Sequence, residues 1–131
     1  MTIHSDWGTW LPEAVSDAAP DGLDVGYLGC NGVILKANDG TTVFIDPYLG
    51  TGDPPRTVRM IPIPFDPTDI AEADAVLATH EHVDHTHGPS QAPILSRTGA
   101  SFYGASASVA VAEKWEREYG IAPRDINEVS E

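Results

Sequence analysis

The stretch Asp74-Ala75-Val76-Leu77-Ala78-Thr79-His80-Glu81-His82-Val83-Asp84-His85-Thr86-His87 decides how the rest of the chain is read. Its first half is a short apolar run with the length and composition of a buried strand. Its second half holds four of the chain's five histidines. In α/β proteins the C-terminal ends of strands open onto crevices, and sites are built there. In an extended segment His80 and His82 point to the same side, so their imidazole nitrogens can meet one ion at about 2.0–2.1 Å. If the loop then turns back, Asp84 and His85 bear on a neighbouring position. Such a mixed nitrogen and oxygen set suits zinc, manganese or iron better than calcium or magnesium. A lone histidine is more often a solvated or satisfied core residue; His-X-His-X-Asp-His behind an apolar strand is a metal pattern. The ligands expected from it are His80, His82, Asp84 and His85. His87 falls outside the set, and Glu81, alternating away from the two histidines, reads as a surface charge.

Upstream, Val25-Gly26-Tyr27-Leu28, Val33-Ile34-Leu35 and Val43-Phe44-Ile45 are three apolar runs of strand length. Asn38-Asp39-Gly40 between the last two supplies residues that tolerate the positive φ of a hairpin turn, so these strands are expected to be antiparallel neighbours. Pro47, Pro54, Pro55, Pro62, Pro64 and Pro67 follow, and the missing amide donors predict a long loop without regular sheet or helix. Thr68 or Asp69 can cap a short helix reaching Ala73. Before the first strand, residues 1–23 form an N-terminal extension with a short helix over Pro12–Ala18. After the histidines, a helical piece following Pro89 and a strand over Ala100–Tyr103 are expected. Val111, Trp115 and Tyr119 recur at helical spacing and predict one amphipathic helix over residues 106–119, closed by Gly120. Ile126–Val129 begins another strand. Residues 24–131 thus read as one β-sheet unit, with the metal loop at 79–88.

Seven basic against twenty acidic residues give a net charge of −13. That field opposes nucleic acid and anionic membrane surfaces, so neither is expected as a partner. No apolar run of about 18 residues is present, and the N-terminus lacks a cationic start before an apolar stretch, which together suggest a soluble, cytoplasmic protein. The single cysteine, Cys30, fits a reducing compartment. Acidic residues are spread over the whole length while Lys36 and Lys114 are the only lysines, a dispersed acidity of the kind found in proteins adapted to high salt.

His80-X-His82-X-Asp84-His85, preceded by the Asp74–Thr79 strand and by Phe44-Ile45-Asp46 after a hairpin, resembles the N-terminal part of the metallo-β-lactamase fold superfamily. Trp7-Gly8-Thr9-Trp10-Leu11, Tyr27-Leu28-Gly29-Cys30-Asn31-Gly32 and Asp46 with Gly50-Thr51-Gly52 look like segments of its L-ascorbate 6-phosphate lactonase group, so the resemblance spans nearly the whole chain. It implies an α/β architecture: one half of an αββα sandwich, with a mixed, mainly antiparallel sheet and flanking helices. It also implies that His80 and His82 hold a first metal and Asp84 and His85 a second, two zinc or manganese ions per completed active site. Asp46 would support the site by orienting a ligand, and Asp84 would also help to move a proton. The implied function is metal-dependent hydrolysis of a small, sugar-derived lactone that carries a phosphate in the group's namesake substrate. Phosphodiester hydrolysis, or a non-catalytic metal-binding half-domain, are the alternatives. In that family a second αβ half supplies a further histidine, a bridging carboxylate and a last histidine. Here no histidine follows His87, and the only later aspartate is Asp125. Completion by a complementary C-terminal half or by a second copy is therefore expected, driven by an unpaired apolar face.

Three other signals are weaker. Gly26-X-X-Gly29-X-X-Gly32 runs into an apolar strand rather than the helix a dinucleotide site needs, so it reads as a turn between strands. Cys30 within it reads as a small packing residue. Trp7, Trp10 and Trp115 read as core.

Overall fold

The computed structural model describes residues 3–121 and 123–130. Its centre is a six-stranded sheet in the order β1-β2-β3-β6-β7-β8. The strands are β1 (Leu23–Gly29), β2 (Gly32–Ala37), β3 (Thr42–Ile45), β6 (Ala75–Ala78), β7 (Ser101–Gly104) and β8 (Asp125–Glu128). A separate two-stranded ribbon joins β4 (Gly52–Asp53) to β5 (Thr57–Val58). The helices are α1 (Trp10–Asp17), α2 (Gly88–Thr98), α3 (Ser106–Ala112) and α4 (Trp115–Tyr119).

The hairpin signal at 38–40 closes as expected. Gly40 takes a φ of 90°, and Asp39 accepts a hydrogen bond from the Thr41 amide at 2.9 Å. Pairing then departs from the expectation. The sheet is mixed, but β3–β6, β6–β7 and β7–β8 are parallel and only β1–β2 and β2–β3 antiparallel, so it is not mainly antiparallel. Parallel neighbours need crossovers, which α2 provides between β6 and β7 and which α3 with α4 provides between β7 and β8.

Phe44, Val76 and Phe102 pair across β3, β6 and β7 and are fully buried, forming the floor of the core. Helix α2 covers it with Ala92, Ile94 and Leu95, and Trp115 closes the far end edge-on to Phe102 at 5.5 Å. Leu11 and Val15 of α1 and Val109 of α3 pack against the same cluster, so the helices share one face of the sheet. The opposite face carries Val25, Leu35 and Val43 in one cross-strand row and Tyr27, Val33, Ile45, Leu77 and Tyr103 in the next. Val25 and Tyr27 are 64% and 73% exposed, and no described element covers that face.

Four local readings need correction. The stretch 106–119 is two helices, not one. At Lys114 the ladder tightens to a bond from its amide to Val111 O, and Trp115 beyond this break is buried. Trp7 and Trp10 are half or more exposed and pack on each other at 6.1 Å, because α1 turns Leu11, Pro12 and Val15 rather than Trp10 toward the sheet. The proline-rich segment contains the β4–β5 ribbon, whose ladder uses the residues flanking Pro54-Pro55 and so avoids their missing amides. The helix before β6 is a single 3₁₀ turn over Pro67–Asp69, capped by Asp66, and does not reach Ala73.

Candidate metal centre

Interior strand β6 delivers Thr79 and His80 to the C-terminal end of the sheet, and the chain turns sharply after His82: the His85 and Thr86 amides both donate to His82 O, at 2.9 and 2.8 Å. Two side chains clamp this turn. Thr86 Oγ1 donates to His80 O at 2.6 Å, and Gln91 Nε2, from the buried start of α2, donates to His85 O at 2.6 Å. The Gln91 side-chain oxygen, Oε1, is buried with no hydrogen-bond partner among the described residues.

Asp46, directly after β3, takes the left-handed region at a φ of 48°, which an aspartate tolerates better than most residues. This turns its carboxylate, 4% exposed, toward the histidine loop. Oδ1 accepts the Thr79 amide at 2.7 Å, and Oδ2 accepts the Thr79 hydroxyl at 2.6 Å and His85 Nδ1 at 2.7 Å. A carboxylate can only accept from Nδ1 if that nitrogen carries the proton. In the neutral ring the other nitrogen, Nε2, then keeps its lone pair, the tautomer a metal requires.

The four sequence-derived ligands come together unequally. The His80 ring lies 4.7 Å from that of His82 and 3.8 Å from that of His85, so the three imidazoles form one cluster. Asp84 Oδ2 stands 3.5 Å from His85 Nε2. Donors on a tetrahedral ion with bonds of about 2.0–2.1 Å stand about 3.4 Å apart, so this pair has the spacing and the chemistry of two ligands on one zinc. Among the described residues, no three His, Cys, Asp or Glu side chains converge on a common metal position. Glu81 is exposed.

His87 has another task. It occupies the N-cap position of α2, lies edge-on to Tyr48 at 4.8 Å, and sits 2.6 Å from Ser90 Oγ, which itself accepts the Leu49 amide. Burial pushes this imidazole down to about 4, keeping it neutral, and Ser90 Oγ and His87 Nδ1 share one hydrogen bond.

Thr79, Gln91 and Asn31 were not singled out from sequence. Asn31 sits in the tight turn between β1 and β2, and its amide nitrogen lies 3.1 Å from Asp84 Oδ2 and 3.1 Å from His85 Nε2. Its one legible signal was its place in a turn rich in glycine. Cys30 beside it takes a φ of 53° and is exposed, so it is not a packing residue; the turn that presents Asn31 leaves its neighbour facing solvent.

A cleft of about 380 Å³ opens beside the loop, bordered by Cys30, Tyr48, Arg59, Val83, Asp84 and His87. The Arg59 guanidinium is held by the carbonyls of Ile61, Tyr48 and Pro62 at 2.9, 3.0 and 3.0 Å and, among the described residues, faces no carboxylate within ion-pair distance.

A one-faced α/β sheet with an Asp-locked histidine loop at the end of β6 defines a class of fold, and residues 41–130 match the model of the beta-lactamase superfamily domain. The chain belongs to that family. It is 29% identical over its whole length to proteins named probable L-ascorbate-6-phosphate lactonase UlaG from Salmonella paratyphi B and Salmonella newport. It spans about half the length of these curated relatives, 46% in each case. Among solved structures, it is similar to a CmlA beta-hydroxylase mutant (TM-score 0.52, 24% identity, 86% of this chain and 22% of that one). Igni18, a metallo hydrolase from Ignicoccus hospitalis, aligns with a TM-score of 0.47 at 19% identity, covering 82% of this chain and 40% of that one.

Proposed function

We propose that this chain is the metal-binding half of a hydrolase that opens a small, sugar-derived lactone. One observation carries the reading: Asp46 fixes His85 in the tautomer that leaves Nε2 free, 3.5 Å from Asp84 Oδ2, at the border of a cleft sized for a small molecule. His80 and His82 would hold one divalent ion, zinc or manganese, and Asp84 with His85 a second. Bound ions of this kind polarise a scissile carbonyl and lower the pKa of water. The chain's own groups orient these ligands, hold the loop, and present Asp84, 47% exposed, as the carboxylate beside the cleft that takes up a proton. The similarity to proteins named as lactonases favours a lactone over a phosphodiester.

The uncovered face of the sheet supports the other part of the proposal, a partner. Its apolar rows cross from β1 to β7, and the matched relatives are about twice as long. A complementary C-terminal half seated there would bury these rows and bring in the remaining ligands.

The test loads the purified 131-residue chain with zinc or manganese, counts ions per chain by native mass spectrometry, and follows metal-dependent opening of sugar lactones against a phosphodiester control. Metal uptake by the chain that is lost in His82→Ala is the expected result, and any turnover that appears is of lactones and not of the phosphodiester. A chain that takes up no ion at millimolar metal sinks the proposal. Turnover of the phosphodiester in place of lactones overturns the substrate reading, while uptake without turnover of either is what a half that needs its complement gives.

A further inference from the structure

The turn between β1 and β2 brings a fifth side chain to the ligand pair. Asn31 Nδ2, Asp84 Oδ2 and His85 Nε2 form a triangle with sides of 3.1, 3.1 and 3.5 Å. One face of the donor tetrahedron around a zinc ion has edges of about 3.4 Å, given bonds of about 2.0–2.1 Å. The triangle has nearly that size, and two of its corners are lone pairs of the right kind. The third corner has the right place and the wrong polarity, since an amide nitrogen donates. The amide oxygen and nitrogen are close to the same size, however, and a half-turn about the terminal side-chain torsion exchanges them.

We propose that Asn31 is the third protein ligand of the ion held by Asp84 and His85. Its amide presents Nδ2 to the pair when no metal is present and turns to present Oδ1 when one is. The inference rests on the metal-binding reading above and extends it, because it draws from this chain a contact that no other His, Cys, Asp or Glu makes among the described residues. Both states are satisfied. Without metal, the two amide protons answer the carboxylate oxygen and the imidazole lone pair, which would otherwise face each other at 3.5 Å with nothing between them. With metal, a neutral carbonyl oxygen joins one imidazole and one carboxylate, a mixed set that zinc and manganese accept. The turn supports this role: Gly29 and Cys30 take φ values of 83° and 53°, and Tyr27 Oη donates to Cys30 O at 2.8 Å, holding the residue before Asn31 in place.

Cobalt(II) titration of the full chain tests it, with visible absorption reporting coordination and a chromophoric chelator setting the affinity. Asn31→Ala should weaken binding at least tenfold, since loss of even an outer partner of a ligand costs about 10–100-fold. Asn31→Asp, which keeps an oxygen at the same position, should bind at least as tightly as the parent, while its melting temperature in chelator falls from repulsion with Asp84. If Asn31 serves only by donating N–H groups, the visible cobalt(II) band keeps the parent's position and intensity in Asn31→Ala and Asn31→Asp alike. That outcome, or Asn31→Ala binding within twofold of the parent, overturns the inference while the metal-binding reading stands. No cobalt uptake by the parent overturns both.

Discussion

Replacing Asp46 by Asn is a change of one atom that the structure makes expensive. The carboxylate accepts three hydrogen bonds while 4% exposed, from the Thr79 amide, the Thr79 hydroxyl and His85 Nδ1. Hydrogen bonds to a charged group contribute about 1.5–3 kcal/mol each. An asparagine keeps the bond at Oδ1 but puts an NH₂ where Oδ2 accepted two protons. The Thr79 hydroxyl can reverse and accept. His85 can remain bonded only by moving its proton from Nδ1 to Nε2. Two charge-assisted bonds become at best two neutral ones, a loss of about 2–3 kcal/mol. With a urea m-value of about 1–3 kcal/mol/M, the midpoint of unfolding should fall by about 1–2 M. The measurement is made in chelator, with a ¹⁵N spectrum of the His85 ring alongside. The expected spectrum shows the protonated nitrogen changing from Nδ1 to Nε2, and metal affinity falls with it. A stability loss below about 0.5 kcal/mol, or an unchanged His85 tautomer, would refute the claim that Asp46 sets the ligand state.

Two further outcomes follow from the packing around α2. His87 is held neutral by burial, at about 4 against an ordinary 6.5, so between these values the unfolded chain binds more protons than the folded one. Its contribution, at most about 3 kcal/mol, is complete above pH 6.5 and lost as the pH falls toward 4; His87→Gln should flatten the fall of urea stability over that window, and an unchanged slope would contradict the burial argument. A Cβ at Gly88 would stand 2.2 Å from Tyr119 Cε2 and 2.8 Å from Trp115 Nε1. The Tyr119 ring can move outward but the buried indole cannot, so Gly88→Ala should cost about 1–3 kcal/mol in thermal unfolding.

The strands were legible because β1, β2, β3 and β6 are apolar runs bounded by turn residues, and each such run needs no distant partner to be recognised. Pairing direction was not. Whether β3 meets β6 in parallel depends on a crossover of some thirty residues that carries no local mark. Helix α2 was only partly legible, since Pro93 and a polar start disguise a segment whose helicity comes from complete burial of Gly88–Ala92. Trp7 and Trp10 show the converse, since large apolar size alone does not fix which side of a short helix faces the sheet. At the site, the histidine cluster announces itself by spacing alone. Asn31 does not, because its partners lie 53 and 54 residues away and no sequence period connects a turn to a loop across that distance.

That same distance governs when the site comes into being during folding. Asp46 reaches Thr79 across 33 residues and Asn31 reaches Asp84 across 53, so both contacts close long loops and must wait for the parallel crossover to form. A cation meeting the nascent chain would find the histidines before the contacts that orient them. Under the metal-binding proposal, uptake is a late event, one that would lengthen the lifetime of the finished structure and leave the speed of its formation unchanged.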